Sequence, residues 1–157
     1  MKLINLIYEN QYASYSNWTR FTDQSLHDDF QEYKQKELAK WKSRSRIIGS
    51  RWPIFDSIQQ FQQDLQDSPV VFIDDIGYVD NLTKNVDIDD IRDMVSGYRY
   101  PRDVDRIIQG YKNNVAMPLP IILRGSRGMW IMAGNTRQSV ARVLGIKPRA
   151  LLVDVKR

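Results

Sequence analysis

The sequence contains no cysteine, so disulfides, thiolate metal sites and sulfur nucleophiles are ruled out for this chain. Its one histidine, His27, leaves serine–histidine hydrolysis and histidine-rich metal sites without their parts. Long apolar runs are missing as well. The opening MKLINLIYEN is broken by Glu9 and Asn10, and no other segment approaches the roughly 20 apolar residues that span a bilayer. The expectation is a soluble, cytoplasmic protein with no membrane partner. Acidic side chains are scarce towards the C-terminus: residues 94–157 hold only Asp103, Asp105 and Asp154. Nuclease chemistry through two metals needs converging carboxylates, and that stretch offers few.

What is present is enough for one core. The chain has 157 residues, 42% of them hydrophobic, which fills a single domain but hardly two. The net charge of +4 conceals an asymmetry: residues 64–93 sum to −7, whereas residues 94–157 carry twelve basic side chains and sum to +9. Such a field favours anionic partners, either a nucleic-acid backbone or nucleotide phosphates. The alternative is a basic surface balanced by direct packing of the acidic middle against it.

Hydrophobic spacing gives the element order. Tyr8, Tyr12, Tyr15, Trp18 and Phe21 recur every three or four residues among Ser, Asn and Thr, which suggests a wrapping arm packed on the core, although such aromatics also stack on bases. A helix follows from Asp23 to about Arg46, with Leu26, Phe30, Tyr33, Leu38 and Trp41 on one side, Thr22 or Asp23 as its cap, Asp28 and Asp29 early in it and Lys40, Lys42, Arg44 and Arg46 at its end. The helix dipole prefers that order of charge. Pro53 opens a shorter helix buried through Ile58, Phe61 and Leu65. The run from Pro69 to Asp74 reads as a strand. DDIGYVDNLTKNVDIDD reads as a solvated acidic loop, because it lacks the alternating ligands of a calcium loop. Ile88, Ile91, Met94 and Val95 mark a helix that Gly97 stops. Another runs from Pro101 through Val104, Ile107, Ile108 and Tyr111, with Asp103 complementing its dipole and Arg99, Arg102 and Arg106 at or beside its start. The rest reads as a strand at 120–123, a turn through Gly125 to Gly128, a strand at 129–132, a helix from Thr136 to Leu144 stopped by Gly145, and a strand at 150–155.

The corner between the third of these strands and the last helix carries the most chemistry. Gly134 permits a turn that a side chain would obstruct, and Asn135 is a suitable N-cap. The free first-turn amides then add partial positive charge to the guanidinium of Arg137, with Thr136 and Ser139 as further hydroxyl donors. These are the ingredients of a phosphate cradle.

The ordered set LPIIL, WIMAGNTRQSVARVLGI and ALLVDV resembles the core of the ParB/sulfiredoxin-like superfamily: Pro-Ile strand, hairpin, Gly-x-x-Arg corner, helix ending in Leu-Gly, final strand. The resemblance covers residues 87–157, and the strand at Val70 to Ile73 extends it. Small proteins of tailed phages look similar in this Ala-Gly-Asn-Thr-Arg form. The resemblance implies an α+β fold with a small mixed sheet over residues 67–157, preceded by a helical extension over 1–66. It also implies nucleotide-phosphate binding by Gly134, Asn135, Thr136 and Arg137. Asn135 stands where sulfiredoxin has its catalytic Cys, so sulfinic acid reduction is excluded. The Gly-Glu-Arg-Arg of the chromosome-partition proteins is absent, which argues against a CTP-gated clamp.

Two functional classes follow. One is a nucleotide-dependent phosphotransferase similar to kinases of free serine, using ATP or a related nucleotide with magnesium. Arg137, Ser139 and Arg102 would then stand at the phosphates and Asp103 would be the acid or base. The other is a non-catalytic protein of phage origin, acting in the host cytoplasm, whose basic corner holds a nucleotide, DNA or a host protein. A ParB-like nuclease or DNA-binding module is a third reading. Replacing Arg137 by Glu is expected to abolish nucleotide binding and leave the fold intact.

Overall fold

A computed structural model describes residues 14–20, 27–32, 35, 58–97 and 102–155. In chain order these form β1 (Trp18–Thr19), a helical stretch over 27–32, α1 (Ile58–Gln66), β2 (Val70–Phe72), a 3-10 turn (Ile73–Asp75) and β3 (Val79–Asp80). There follow α2 (Ile88–Ser96), α3 (Val104–Lys112), β4 (Met117–Pro118), β5 (Ile121–Gly125), β6 (Gly128–Ala133), α4 (Asn135–Val143) and β7 (Arg149–Asp154). The class is α+β, as expected from the sequence.

Strands β5 and β7 are almost uninterruptedly apolar because both faces of the sheet are covered. Their order is β2-β7-β5-β6-β3, with β5 parallel to β7 and antiparallel to β6. Alternate residues therefore go to opposite sides. Ile121, Leu123, Trp130, Met132, Leu151 and Val153 pack with Phe30, Phe61 and Leu65, while Ile122, Ile131, Ala150 and Leu152 pack with Ile73 and Val79. A third cluster joins α2, α3 and α4 through Ile91, Val95, Val104, Tyr111, Val140 and Leu144. Ile91 and Val95 are buried as the spacing implied; Met94 is instead exposed.

The N-terminal region is not an appendage where it is described. Phe30 and Phe61 stack with ring centroids 5.7 Å apart inside the main core. Trp18 and Thr19 pair in parallel with Met117 and Pro118. Tyr15 and Trp18 meet Tyr111 edge-on, so the aromatic arm packs where it is described, in place of offering faces for stacking. The division at residue 66 thus crosses a shared core. Thr22, Asp23, Lys40, Lys42, Arg44, Arg46, Pro53, Arg99 and Pro101 lie outside the described residues.

Local signals explain the helix ends. Asp87 and Asp90 form a reciprocal capping box at the start of α2, which satisfies two otherwise orphaned amides. Helix α4 ends with Gly145 at φ 76°. There the Ile146 amide donates to Ala141 and that of Gly145 to Arg142, the Schellman arrangement that glycine makes inexpensive. Between β5 and β6 the turn is Ser126-Arg127, with Gly125 opposite Gly128. The acidic stretch is not merely a solvated loop. It contributes β3, which pairs in parallel with Met129 and Trp130.

Candidate functional site

Strand β6 runs directly into Gly134, whose φ of 84° begins α4 in the left-handed region. A β-carbon at this position would lie 2.7 Å from Pro120 Cα, 2.8 Å from Pro120 Cβ and 2.9 Å from Arg137 Nη2. Glycine is therefore required twice, for its backbone angle and for the close approach. Gly134 is itself the N-cap, and no side chain caps the helix. This corrects the assignment of that role to Asn135, which is the first helical residue.

Asn135 has other work. Its Oδ1 accepts from the Thr83 amide at 2.9 Å, and its Nδ2 donates to Thr83 Oγ1 at 2.9 Å. Gln138 is fully buried; its Nε2 donates to the Thr83 carbonyl at 2.7 Å and to Asn135 Oδ1 at 3.0 Å. Arg142 Nε donates to Gln138 Oε1 at 2.6 Å, and its two terminal nitrogens grip Asp74 at 2.9 and 2.8 Å. These hydrogen bonds hold the Asp74 carboxyl below the usual carboxylate range. One face of α4 is thus bolted to the acidic stretch.

The other face carries the candidate site. Arg137 folds back over the first turn, and its Nε donates to the Pro118 carbonyl at 2.9 Å. Its own carbonyl accepts from the Tyr111 hydroxyl at 2.8 Å. Arg137 Nη2 is buried and has no hydrogen-bond partner among the described residues. The nearest acidic oxygen is Asp29 Oδ2, 3.8 Å away, outside hydrogen-bond reach. The first turn of α4 contains no acidic residue. The amides of Asn135, Thr136 and Arg137 have no acceptor among the described residues. Backbone and side chain together leave this corner electropositive and short of oxygen acceptors.

The remaining expected residues fall in different places. Ser139 is buried, and its hydroxyl donates to the Thr136 carbonyl at 2.9 Å, which corrects its assignment as a ligand donor. Thr136 is also buried. Asp103 caps α3, accepting from the Arg106 amide at 3.0 Å, and no hydrogen bond or ion pair joins it to Arg137. Its contact is the cap of α3, in keeping with dipole complementation. Arg102 pairs with Glu32, so Arg102 and Arg137 both face the helical stretch over 27–32, one turn apart. His27 is exposed.

The residue that sequence reasoning assigns only to the helix dipole, and that the structure places against Arg137, is Asp29. It stands three positions after Leu26 and four before Tyr33, inside the apolar stripe of its helix, and a charge there was the available signal. Burial pushes its carboxyl above the ordinary range, against the opposing pull of Arg137.

Charges elsewhere are largely matched. Asp74 and Asp75 face Arg142, Lys84 and Lys147, Arg124 grips Asp154 through two bonds, and Arg92 meets Asp105 at 2.5 Å. The acidic middle does pack on the basic last third. A cleft of about 790 Å³ lies at the far end of α4, between Lys84, Asp87, Arg92, Arg142 and Lys147, and includes none of the residues 134–137. Among the described residues no helix is long and apolar enough to cross a membrane, and no three carboxylate or histidine side chains converge as a metal site. The chain matches no protein-family model, no curated protein and no solved structure.

Proposed function

We propose that the chain is a nucleotide-binding protein that holds phosphate oxygens at the Gly134–Arg137 corner. The observation that carries this reading is the buried Arg137 Nη2, a permanently charged donor without an acceptor among the described residues, beside the first turn of α4. Leaving such a donor unmatched is costly, and an anionic oxygen supplies what both the guanidinium and the amides lack. The resemblance of AGNTR and its flanking strands to the ParB/sulfiredoxin-like corner points to the same residues. It adds ATP or a related nucleotide as the ligand. Magnesium would enter with the nucleotide's phosphates, in keeping with its habit of retaining water and few protein ligands.

Phosphoryl transfer is the reaction that the resemblance adds, but Asp103 is not proposed as its base. Binding to DNA is less well supported than nucleotide binding, because many of the cations that a backbone would need already hold carboxylates.

Thermal melting with ATP, CTP and GTP, each with and without magnesium, tests the reading, since a ligand selective for the native state raises the melting point. Arg137→Gln is the matched variant. Arg137→Gln is preferred to Arg137→Glu, because the latter would place a second carboxylate beside Asp29. At least one nucleotide should raise the melting temperature of the wild type and fail to raise that of Arg137→Gln. No shift with any of them, or an equal shift in the variant, overturns the proposal.

A further inference from the structure

The anion site just proposed already faces a carboxylate of its own chain. Asp29 Oδ2 lies 3.8 Å from Arg137 Nη2, and that nitrogen is 2.9 Å from where a Gly134 β-carbon would stand. The three groups therefore share one small space at the start of α4. Asp29 is 9% exposed yet accepts no hydrogen bond among the described residues. Among the described residues its one ion pair, with Arg137, is at the outer limit of such a contact. A carboxylate taken out of water normally collects two or more donors, because its desolvation is otherwise uncompensated. This one stays outside hydrogen-bond distance of the Arg137 Nη2 that it faces.

A phosphate oxygen placed within hydrogen-bond distance of Nη2 would come close to this carboxylate. Two negative charges a few ångströms apart in a poorly hydrated corner repel strongly. The charged groups around Asp29 are Arg137, Arg102, Glu32 and Asp28, and only Arg137 belongs to the corner. The stretch carrying Asp29 is held just after it by Phe30, stacked on Phe61, and by Glu32, paired with Arg102. Asp29 itself is the weakly held member.

Resting on the reading of the corner as a phosphate site, we propose that Asp29 is a built-in competitor for that site. The helical stretch over 27–32 disengages from Arg137 when a polyanion enters. Affinity for the ligand is thereby coupled to the position of the N-terminal region, so that whatever draws this stretch away, such as a partner binding it, opens the corner.

The test uses the full chain and inorganic triphosphate, with ATP in parallel, titrated calorimetrically into wild type, Asp29→Asn and Arg137→Gln. Asn keeps the shape of Asp29 and removes its charge. The expected result is affinity for triphosphate at least about tenfold tighter in Asp29→Asn than in wild type, and lost in Arg137→Gln. A measurement independent of whether that variant folds is amide hydrogen exchange of the wild type, in which saturating triphosphate should speed exchange over 27–32 and slow it over 135–137. Equal affinity in wild type and Asp29→Asn, with both depending on Arg137, overturns the competitor and leaves the site standing. Unchanged or slower exchange over 27–32 on binding overturns the disengagement. Absence of binding in both wild type and Asp29→Asn overturns the site and the competitor together.

Discussion

Gly134→Ala is expected to be among the most damaging single-methyl additions available to this chain. Two costs combine. An alanine at φ 84° incurs roughly 1–2 kcal/mol for the left-handed region. Its β-carbon would also stand 2.7 Å from Pro120 Cα, an approach that something must relieve. Pro120 cannot retreat easily: its ring fixes its own backbone, and its carbonyl accepts the Leu151 amide at 2.9 Å, tying it to the sheet. The other obstacle, Arg137 Nη2 at 2.9 Å, belongs to a guanidinium anchored on Pro118. Overpacking of this kind costs about 1–3 kcal/mol. A total near 3 kcal/mol lowers the melting temperature of a domain of this size by roughly 6–12 °C. Gly77→Ala is the control, since Gly77 has φ 92° but nothing within 4 Å of its would-be β-carbon. It should lose only the conformational part, about 1–2 kcal/mol. The assay is thermal melting of both variants, followed by nucleotide titration of Gly134→Ala, which should also bind more weakly because its guanidinium is pushed aside. Equal losses at positions 134 and 77 would refute the argument that strand, proline and guanidinium close tightly around the glycine.

Two more perturbations probe the opposite face of α4. Gln138→Leu keeps the volume but leaves the Thr83 carbonyl and Arg142 Nε without their partner, and should cost about 2–4 kcal/mol, read as a lower urea midpoint with an unchanged slope. For Asp74, Arg142 depresses the folded-state pKa, so the folded protein binds this proton less readily than the unfolded chain. The stabilisation is present above the ordinary carboxylate pKa and is lost as pH falls through the depressed value. With the Asp74 side chain 40% exposed, the effect should stay below about 1 kcal/mol, seen as a shallower acid limb of melting temperature against pH in Asp74→Asn.

Much of the fold was legible because its strands are buried on both faces and its helices on one. PIIL, MWIM and ALLV are runs that only a covered sheet uses, and Val104, Ile107, Ile108 and Tyr111 hold helical spacing without a break. What escaped were elements with no pattern to read. Strands β1, β3 and β4 are two residues each, shorter than any periodicity, and exist because a neighbouring edge presents free backbone groups. The acidic stretch was misread for a related reason. Its polarity suggested solvent, whereas Asp74 and Thr83 are polar because Arg142, Asn135 and Gln138 stand opposite them. A partner distant in sequence cannot be inferred from one side of the pair.

The same asymmetry governs the corner. Gly134 and Arg137 are recognisable from local chemistry, since a strand turning into a helix through glycine dictates where the amides and the following arginine go. Ser139 was misassigned because a hydroxyl within a helix has an acceptor one turn back, and that internal bond is preferred once the side chain is buried. Asp103 caps α3, the role that a residue just before a helix start is commonly selected for. Asp29 reads from sequence only as an acid early in its helix because its wider significance is tertiary: 108 positions separate it from Arg137 in the chain, and the stacking of Phe30 on Phe61 and the pairing of Glu32 with Arg102 hold its stretch near the corner. A charged residue inside an apolar stripe is thus the feature to follow in this sequence. Burial of that charge is offset by a countercharge or by uptake of a proton, and the cation that stands opposite Asp29 is Arg137.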